Sequence, residues 1–339
     1  MSVHARAAVL DGSSTVLCGP GRPRAVPGVG IGRAPGHHGE LLQGVFWDTL
    51  GEPRRGLVTL PISGSGTCAE FRPDLGTAPD ALTVVPADRA KARRAAVLTL
   101  DLLGSALDTP VCGGLLRLTG DLPVGLGMGS STSDIIAAVR AVADAFGVRM
   151  PASTVAALAV RAEQASDPLM LDDRPLLFAQ REGRVLEVLG NALPPMVLLG
   201  CLTGAGRPVD TLRLPTVDTS WVEAYERLRR RLRRAVRTAD LALLGAVSTE
   251  SARLNQHLLP KEELPVLTEV ARSSSAVGIQ VAHSGNVAGV LFDPAAADLP
   301  HRLERCRTAL ARAGIAVTRV FHTSAARSRK DTPVVRPRR

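Results

Sequence analysis

The chain has 339 residues, of which 45% are hydrophobic but only 3% aromatic, so a large core must be built mostly from Ala, Val and Leu. Its length allows two domains of roughly 100–200 residues each, and its hydrophobic content excludes gross disorder. No run of ~18 apolar residues offers a membrane span, no secretory leader is expected, and five scattered cysteines (Cys18, Cys68, Cys112, Cys201, Cys306) offer neither a disulfide framework nor a zinc site, which makes a reducing cytoplasm the expected setting.

The net charge of +9 is concentrated at one end: residues 302–339 hold 11 Lys or Arg against 2 Asp or Glu. The rest of the chain is neutral, which argues against a nucleic-acid partner, since that function wants a basic face on the fold. The last sixteen residues, SAARSRKDTPVVRPRR, read as a solvated tail.

Taken in chain order, residues 1–28 are rich in Gly, Pro and Ser and read as an irregular leader. VGIGRA, from Val29, is a short strand, and APGHHGELLQG (34–44) a glycine-rich loop running into a short helix. VFWD, GLVTLPIS and TCAEFR read as strands. Helical spacing of Ala92, Ala95, Ala96, Leu98, Leu102 and Leu103 predicts a helix over 88–107, followed by the strand GGLLRLTG. Ile135, Ile136, Val139, Val142, Ala143 and Phe146 mark a helix stopped by Gly147, and a second helix runs from about Ser153 to Ala162. Strands near 175–180 and 184–189 precede MVLLGCLTG, an apolar and so buried strand. TSWVEAYERLRRRLRRAVRTAD is an amphipathic surface helix with arginines on its outer faces, paired with a helix near 241–256. The glycine-rich GIQVAHSGNVAGVLFD, a helix at 300–313 and the strand IAVTRVFHT complete the chain.

One stretch carries the chemistry. In LPVGLGMGSSTSDI (122–135), Gly125, Gly127 and Gly129 alternate between a strand and a helix, with Ser130 and Ser131 at the helix start. Such a turn aims backbone amides and a helix N-terminus at one point, where phosphate binds best. One serine hydroxyl can cap the helix and the other can face the anion or a Mg²⁺ riding on it. The stretch lacks the lysine of G-x-x-x-x-G-K-[ST] and is not G-x-G-x-x-G, so neither the usual P-loop nor a dinucleotide fold is indicated.

Pro123, Gly127, Met128, Gly129, Ser130, Ser131 and Thr132 match every fixed position of P-x-x-x-G-[LM]-G-S-S-[AST], and the chain here resembles the GHMP kinases. APGHHGELLQG resembles the first motif of that family in the form found in the L-threonine kinases of cobalamin synthesis, with His38 in place of a Cys. AHSGNVAGVLFD (282–293) resembles the third motif. The resemblance spans roughly residues 30–322 and implies an α+β, two-domain fold: an N-terminal half like ribosomal protein S5 and a ferredoxin-like C-terminal half. On that reading residues 1–28 are a disordered leader, 29–195 the ATP-binding domain, 196–323 the C-terminal domain and 324–339 a basic disordered tail.

The resemblance also implies roles. ATP and Mg²⁺ are the expected cofactors, with Pro123, Gly125, Gly127, Met128, Gly129, Ser130, Ser131 and Thr132 around the nucleotide phosphates. In VRAEQASDP, Glu163 is the implied Mg²⁺ partner of Ser131, and Asp167 the candidate base for the acceptor hydroxyl, with Asp172 and Asp173 as nearby competitors. Glu40, His38, His283, Ser284 and Gly285 are candidate substrate-side residues. Glu40 suits either the ammonium of an amino-acid substrate or a loop cap; His37 and His38 read more readily as loop-surface or hydrogen-bonded residues than as substrate contacts. Leu126 stands where the L-threonine kinases often have Lys, which removes one cation near the phosphates. The implied activity is phosphoryl transfer to a small alcohol, L-threonine first and homoserine next. A catalytically silent regulator on the same fold and a polynucleotide-binding protein are the alternatives. No membrane partner is expected, and a homodimer is allowed.

Overall fold

The computed structural model describes residues 7–10, 13–16, 26–107, 110–171, 174–204, 218–283 and 285–323. Strands β1 (Ala7–Leu10) and β2 (Ser13–Val16) form a separate antiparallel hairpin inside the stretch expected to be irregular. The rest of the leader up to residue 25, and the tail expected at 324–339, lie outside the described residues.

The framework is a long antiparallel hairpin, β3 (Gly30–Trp47) with β4 (Pro53–Pro73). On one side β4 pairs with β6 (Gly114–Gly120), which is parallel to β5 (Leu82–Val85). β7 (Leu176–Ala179) joins β4 at Leu57–Phe178 and pairs with β8 (Arg184–Val188). A second group, β9 (Val197–Leu202), β10 (Gly278–Val281), β11 (Val287–Phe292) and β12 (Val317–His322), is ordered β12-β9-β11-β10. The two groups meet where Val281 of β10 lies opposite Glu40 of β3. The sheet junction therefore falls on the first motif.

The segment 34–44 is strand throughout, not the loop and short helix its glycines suggested. Register shifts between Pro35 and His37, His37 and Glu40, and Glu40 and Leu42 interrupt the pairing with β4. Leu41 and Leu42, adjacent in sequence, are both fully buried. The bulges break the two-residue alternation that marks a strand in sequence.

Helices α1 (Ala90–Ala106), α2 (Ser130–Ala145) and α3 (Ala152–Glu163) form one core with β4, β5 and β6. α2 is buried on nearly every face and lies directly against β3. A Cβ on Gly30 would stand 2.1 Å from the Ala141 carbonyl oxygen, and one on Gly32 2.0 Å from that of Ala137. Glycine on the strand and alanine on the helix thus replace aromatic bulk with close backbone approach.

α4 (Val222–Thr238) and α5 (Leu241–Leu254) cover the other end of β3. α6 (Leu264–Ser273) and α7 (Leu299–Arg312) pack on β9, β10 and β11. The arginines of α4 are partly committed to the fold: Arg229 and Arg233 both pair with Glu187 of β8, and Arg229 also meets Glu226.

Candidate active site

The loop after β6 turns on three glycines with positive φ, Gly125 (79°), Gly127 (83°) and Gly129 (70°). Only glycine takes that conformation at little cost, which explains their alternation. Gly129 is itself the residue before α2, and α2 receives no side-chain cap among the described residues. Neither Ser130 nor Ser131 therefore caps the helix, contrary to the sequence reading. The first-turn amides keep their donors for an anion, and the helix dipole adds to the attraction.

The third motif presses on this loop backbone to backbone. A Cβ on Gly285 would lie 2.1 Å from Gly127 Cα, and the Asn286 N–H donates to the Leu126 carbonyl at 2.9 Å. Ser284, between them and His283, lies outside the described residues. The first motif supports the same loop from another side. The His37 N–H donates to the Met128 carbonyl at 3.2 Å, and a Cβ on Gly129 would stand 2.2 Å from His37 Cδ2.

Glu163 ends α3 beside the start of α2. Its Oε1 accepts from Lys91 Nζ at 2.6 Å, and the Ser131 hydroxyl lies near enough to favour the charged form of the carboxylate. Burial pushes Glu163 above the usual carboxylate range, and Lys91 and Ser131 draw it only partly back. Its other oxygen, Oε2, is buried without a hydrogen-bond partner among the described residues. A hydroxyl and a carboxylate with one orphaned oxygen, beside uncapped amides, are a donor set that fits Mg²⁺, which takes few protein ligands and leaves the rest to water and phosphate.

Asp167 follows in the connection to β7. Its Oδ2 accepts from Thr132 Oγ1 at 3.0 Å and lies 3.1 Å from His37 Nε2. Thr132 thus points at Asp167. Burial alone would raise Asp167, but the His37 imidazole, its hydrogen bond and that of Thr132 hold it below its ordinary range. Asp172 and Asp173 lie outside the described residues.

His37 is buried and hydrogen-bonded, so of the two settings expected for it the hydrogen-bonded one holds and the loop surface does not. Burial opposes its charge, yet Asp167, aided by Glu40, raises it to about 9. Glu40 is also buried; its Oε2 accepts the His283 backbone N–H at 2.6 Å, and burial pushes its carboxyl up to about 8. His283 Nδ1 lies 2.8 Å from Gln43 Oε1, which also accepts from Asn255 Nδ2 at 3.1 Å. His38 turns the other way. It is fully buried, with Nδ1 2.6 Å from Gln280 Nε2 and its ring 4.8 Å from that of Phe321. This corrects the expectation that His38 contacts substrate: strand alternation sends it into the core of the second strand group.

Lys261, between α5 and α6, had no motif to signal it. It is buried, and its ammonium donates to the Gly285 carbonyl at 2.6 Å. Burial pulls its pKa down, and Glu40 and Glu263 oppose that pull. A cleft of about 360 Å³ opens alongside, with Arg55, Asp218, Trp221, Asn255 and His283 in its lining.

Residues 91–173 match the family profile described as GHMP kinases N terminal domain. That segment holds the glycine loop, α2, α3, Glu163 and Asp167. Over those residues the chain carries a GHMP kinase N-terminal domain. Two curated relatives are L-threonine kinases. That of Salmonella typhimurium is 28% identical over 276 residues, 78% of this chain and 83% of the relative. That of Citrobacter freundii is 29% identical over 175 residues, 51% of this chain and 60% of the relative. The crystal structure of homoserine kinase from Cytophaga hutchinsonii superposes with a TM-score of 0.64 at 15% identity, covering 88% of this chain and 95% of that one. The two strand groups with their helices are thus the two-domain GHMP kinase fold, and its three motifs converge on the loop at 123–132.

Proposed function

We propose that this GHMP kinase transfers the γ-phosphoryl group of ATP to the hydroxyl of a small amino-acid or amino-alcohol acceptor, with L-threonine as first choice. The observation that carries the reading is the uncapped start of α2, flanked by Ser131 on Glu163 and by Thr132 on Asp167. Phosphoryl transfer through a loose transition state asks mainly for positioning and charge neutralisation. Amides of residues 127–131 would face the phosphates. Ser131 and Glu163 would hold Mg²⁺, which when bound neutralises charge on the phosphate oxygens. Asp167 would orient the acceptor hydroxyl or take its proton, and its side chain keeps about 20% exposure for that contact.

The acceptor would enter from the cleft that His283 lines, where the His283 backbone N–H donates to Glu40. Arg55, Asp218 and Asn255 give that cleft a cation, an anion and an amide, a set suited to the two charged ends of an amino acid. The L-threonine kinase relatives support threonine over homoserine. The test is coupled ADP release across L-threonine, L-serine, homoserine, mevalonate and simple amino alcohols, with the phosphomonoester product identified by ³¹P NMR. Acceptor-dependent ADP with a matching product supports the reading. Nucleotide binding without ADP for every acceptor would favour the silent regulator, and no nucleotide binding would end the proposal.

A further inference from the structure

α4 carries seven arginines, and only Arg229 and Arg233 are tied to Glu187. Arg227 and Arg231 lie one turn apart on an exposed face, and among the described residues neither has a carboxylate partner. Both line a groove of about 490 Å³ between α4 and α5. Leu228 and Leu254 give that groove apolar surface, and Arg253 stands on its α5 wall, where its guanidinium meets Glu250 Oε2 at 2.7 Å. The lining thus holds three guanidinium groups against one carboxylate, a surplus of two positive charges. Arginine forks pair bidentately with phosphate, and a phosphomonoester carries about −1.5 to −2 near pH 7. The described lining has no aromatic side chain, so it offers nucleobases no stacking platform. Size and charge together select a compact phosphomonoester over a polynucleotide.

The other faces of the same two helices hold the first motif. On α5, Ser251 Oγ accepts from the Gln43 N–H at 3.0 Å, and Asn255 Nδ2 donates to Gln43 Oε1 at 3.1 Å. On α4, Tyr225 packs on Gly44, where a Cβ would stand 2.3 Å from its ring. Tyr225, Asn255 and His283 line the cleft from which the acceptor would enter. We propose that the groove between α4 and α5 is a second anion site: it takes a small phosphomonoester, which bridges Arg227 and Arg231 to Arg253, shifts the helix pair and so changes acceptor binding in the cleft. Such a ligand acts through the contacts it gains when Arg253 leaves Glu250 and turns toward α4, which are the differential contacts an effector needs. The site goes beyond the kinase reading, and only its kinetic consequence rests on that reading.

The experiment has two arms on the full chain. In the first, calorimetry follows the binding of phenyl phosphate, with Mg²⁺ and a non-hydrolysable ATP analogue present to occupy the glycine loop. A single site with a Kd below ~1 mM is expected. Arg227→Gln with Arg231→Gln should weaken it at least ~10-fold. Arg230→Gln with Arg234→Gln removes the same charge from exposed positions of α4 outside the groove and should stay within ~3-fold of wild type. No saturable binding, or equal weakening by the two double variants, would overturn the proposal. So would a single-stranded oligonucleotide that binds more tightly than phenyl phosphate and is weakened alike by both variants, the mark of a polyanion surface. In the second arm, coupled ADP release is measured with and without phenyl phosphate. The acceptor KM should change at least ~5-fold in wild type and stay within ~3-fold in the Arg227→Gln, Arg231→Gln protein, as should the KM for ATP in both. An acceptor KM that bound phenyl phosphate leaves unchanged would overturn the effector role. Should wild type phosphorylate no acceptor, the kinase reading fails by itself, and the calorimetry still decides the anion site.

Discussion

Gly285→Ala probes the contact between the third motif and the glycine loop at 123–132. The new Cβ would stand 2.1 Å from Gly127 Cα and 2.4 Å from the Leu126 carbonyl oxygen. Both are backbone atoms, so no side chain can rotate away, and one loop must move by more than an ångström. Overpacking of this kind costs ~2–3 kcal/mol. The cost falls on one of two observables. Either the folded state loses ~2–3 kcal/mol, or the loops separate and the same energy appears as ~30–150-fold weaker nucleotide binding. The second route is favoured, because the Gly285 carbonyl holds Lys261 and the Asn286 N–H holds Leu126, so a displaced Gly285 pulls on the glycine loop directly. Urea unfolding followed by Trp47 and Trp221 fluorescence, together with calorimetric titration of an ATP analogue, measures both. Gly125→Ala is the control: its φ of 79° is strained for alanine, yet nothing lies within 4 Å of the added carbon. It should cost only the ~1–2 kcal/mol of the left-handed conformation. A Gly285→Ala protein within ~0.5 kcal/mol and ~3-fold of wild type on both counts would show that the loops do not depend on each other.

Lys261→Met removes the buried ammonium from the Gly285 carbonyl; loss of a charged hydrogen bond of ~1.5–3 kcal/mol should raise the KM for ATP by ~10-fold or more, measured under saturating acceptor. Ser131→Ala with Glu163→Gln should abolish turnover and the Mg²⁺ dependence of nucleotide binding while leaving the thermal melt near that of wild type; unchanged turnover would remove these residues from the Mg²⁺ role. Stability should fall on both sides of neutrality. His37 is raised to about 9 in the folded protein, so its contribution is complete below 6.5 and lost as pH rises through 9. Glu40, raised to about 8, changes in the same direction as pH rises from 4.5. His38 and His283 are lowered to about 3 and 4, so the unfolded chain takes up protons first and stability drops below pH 6.5. Each group changes stability by at most ~1.4 kcal/mol per pH unit, and melting curves from pH 4 to 10 would reveal the dome. A melting temperature still rising between pH 8 and 10 would contradict the His37 assignment.

Much of this was legible in the residues. Alternating glycines before an apolar periodicity located the glycine turn that opens α2, and helical spacing drew α1, α2, α3 and α7 to within about two residues of their bounds. Segment 34–44 was misread because its bulges hide strand alternation behind two adjacent buried leucines. α6 escaped because its apolar face is short and opens on Pro265. The partners of the site residues were not legible at all. His37 meets Asp167 across 130 positions, and Lys261 reaches Gly285 from a polar turn without any pattern. The serine expected to cap α2 was displaced by a feature of backbone geometry, the left-handed Gly129.

The most direct test of the whole account is the position of a bound nucleotide. In a crystal of the full chain with Mg²⁺ and a non-hydrolysable ATP analogue, the β- and γ-phosphates should accept hydrogen bonds from the amides of residues 127–131, with the metal between them, Ser131 and Glu163. Phosphates bound anywhere else, or a glycine loop still closed on itself with no nucleotide against it, would contradict the account at its root.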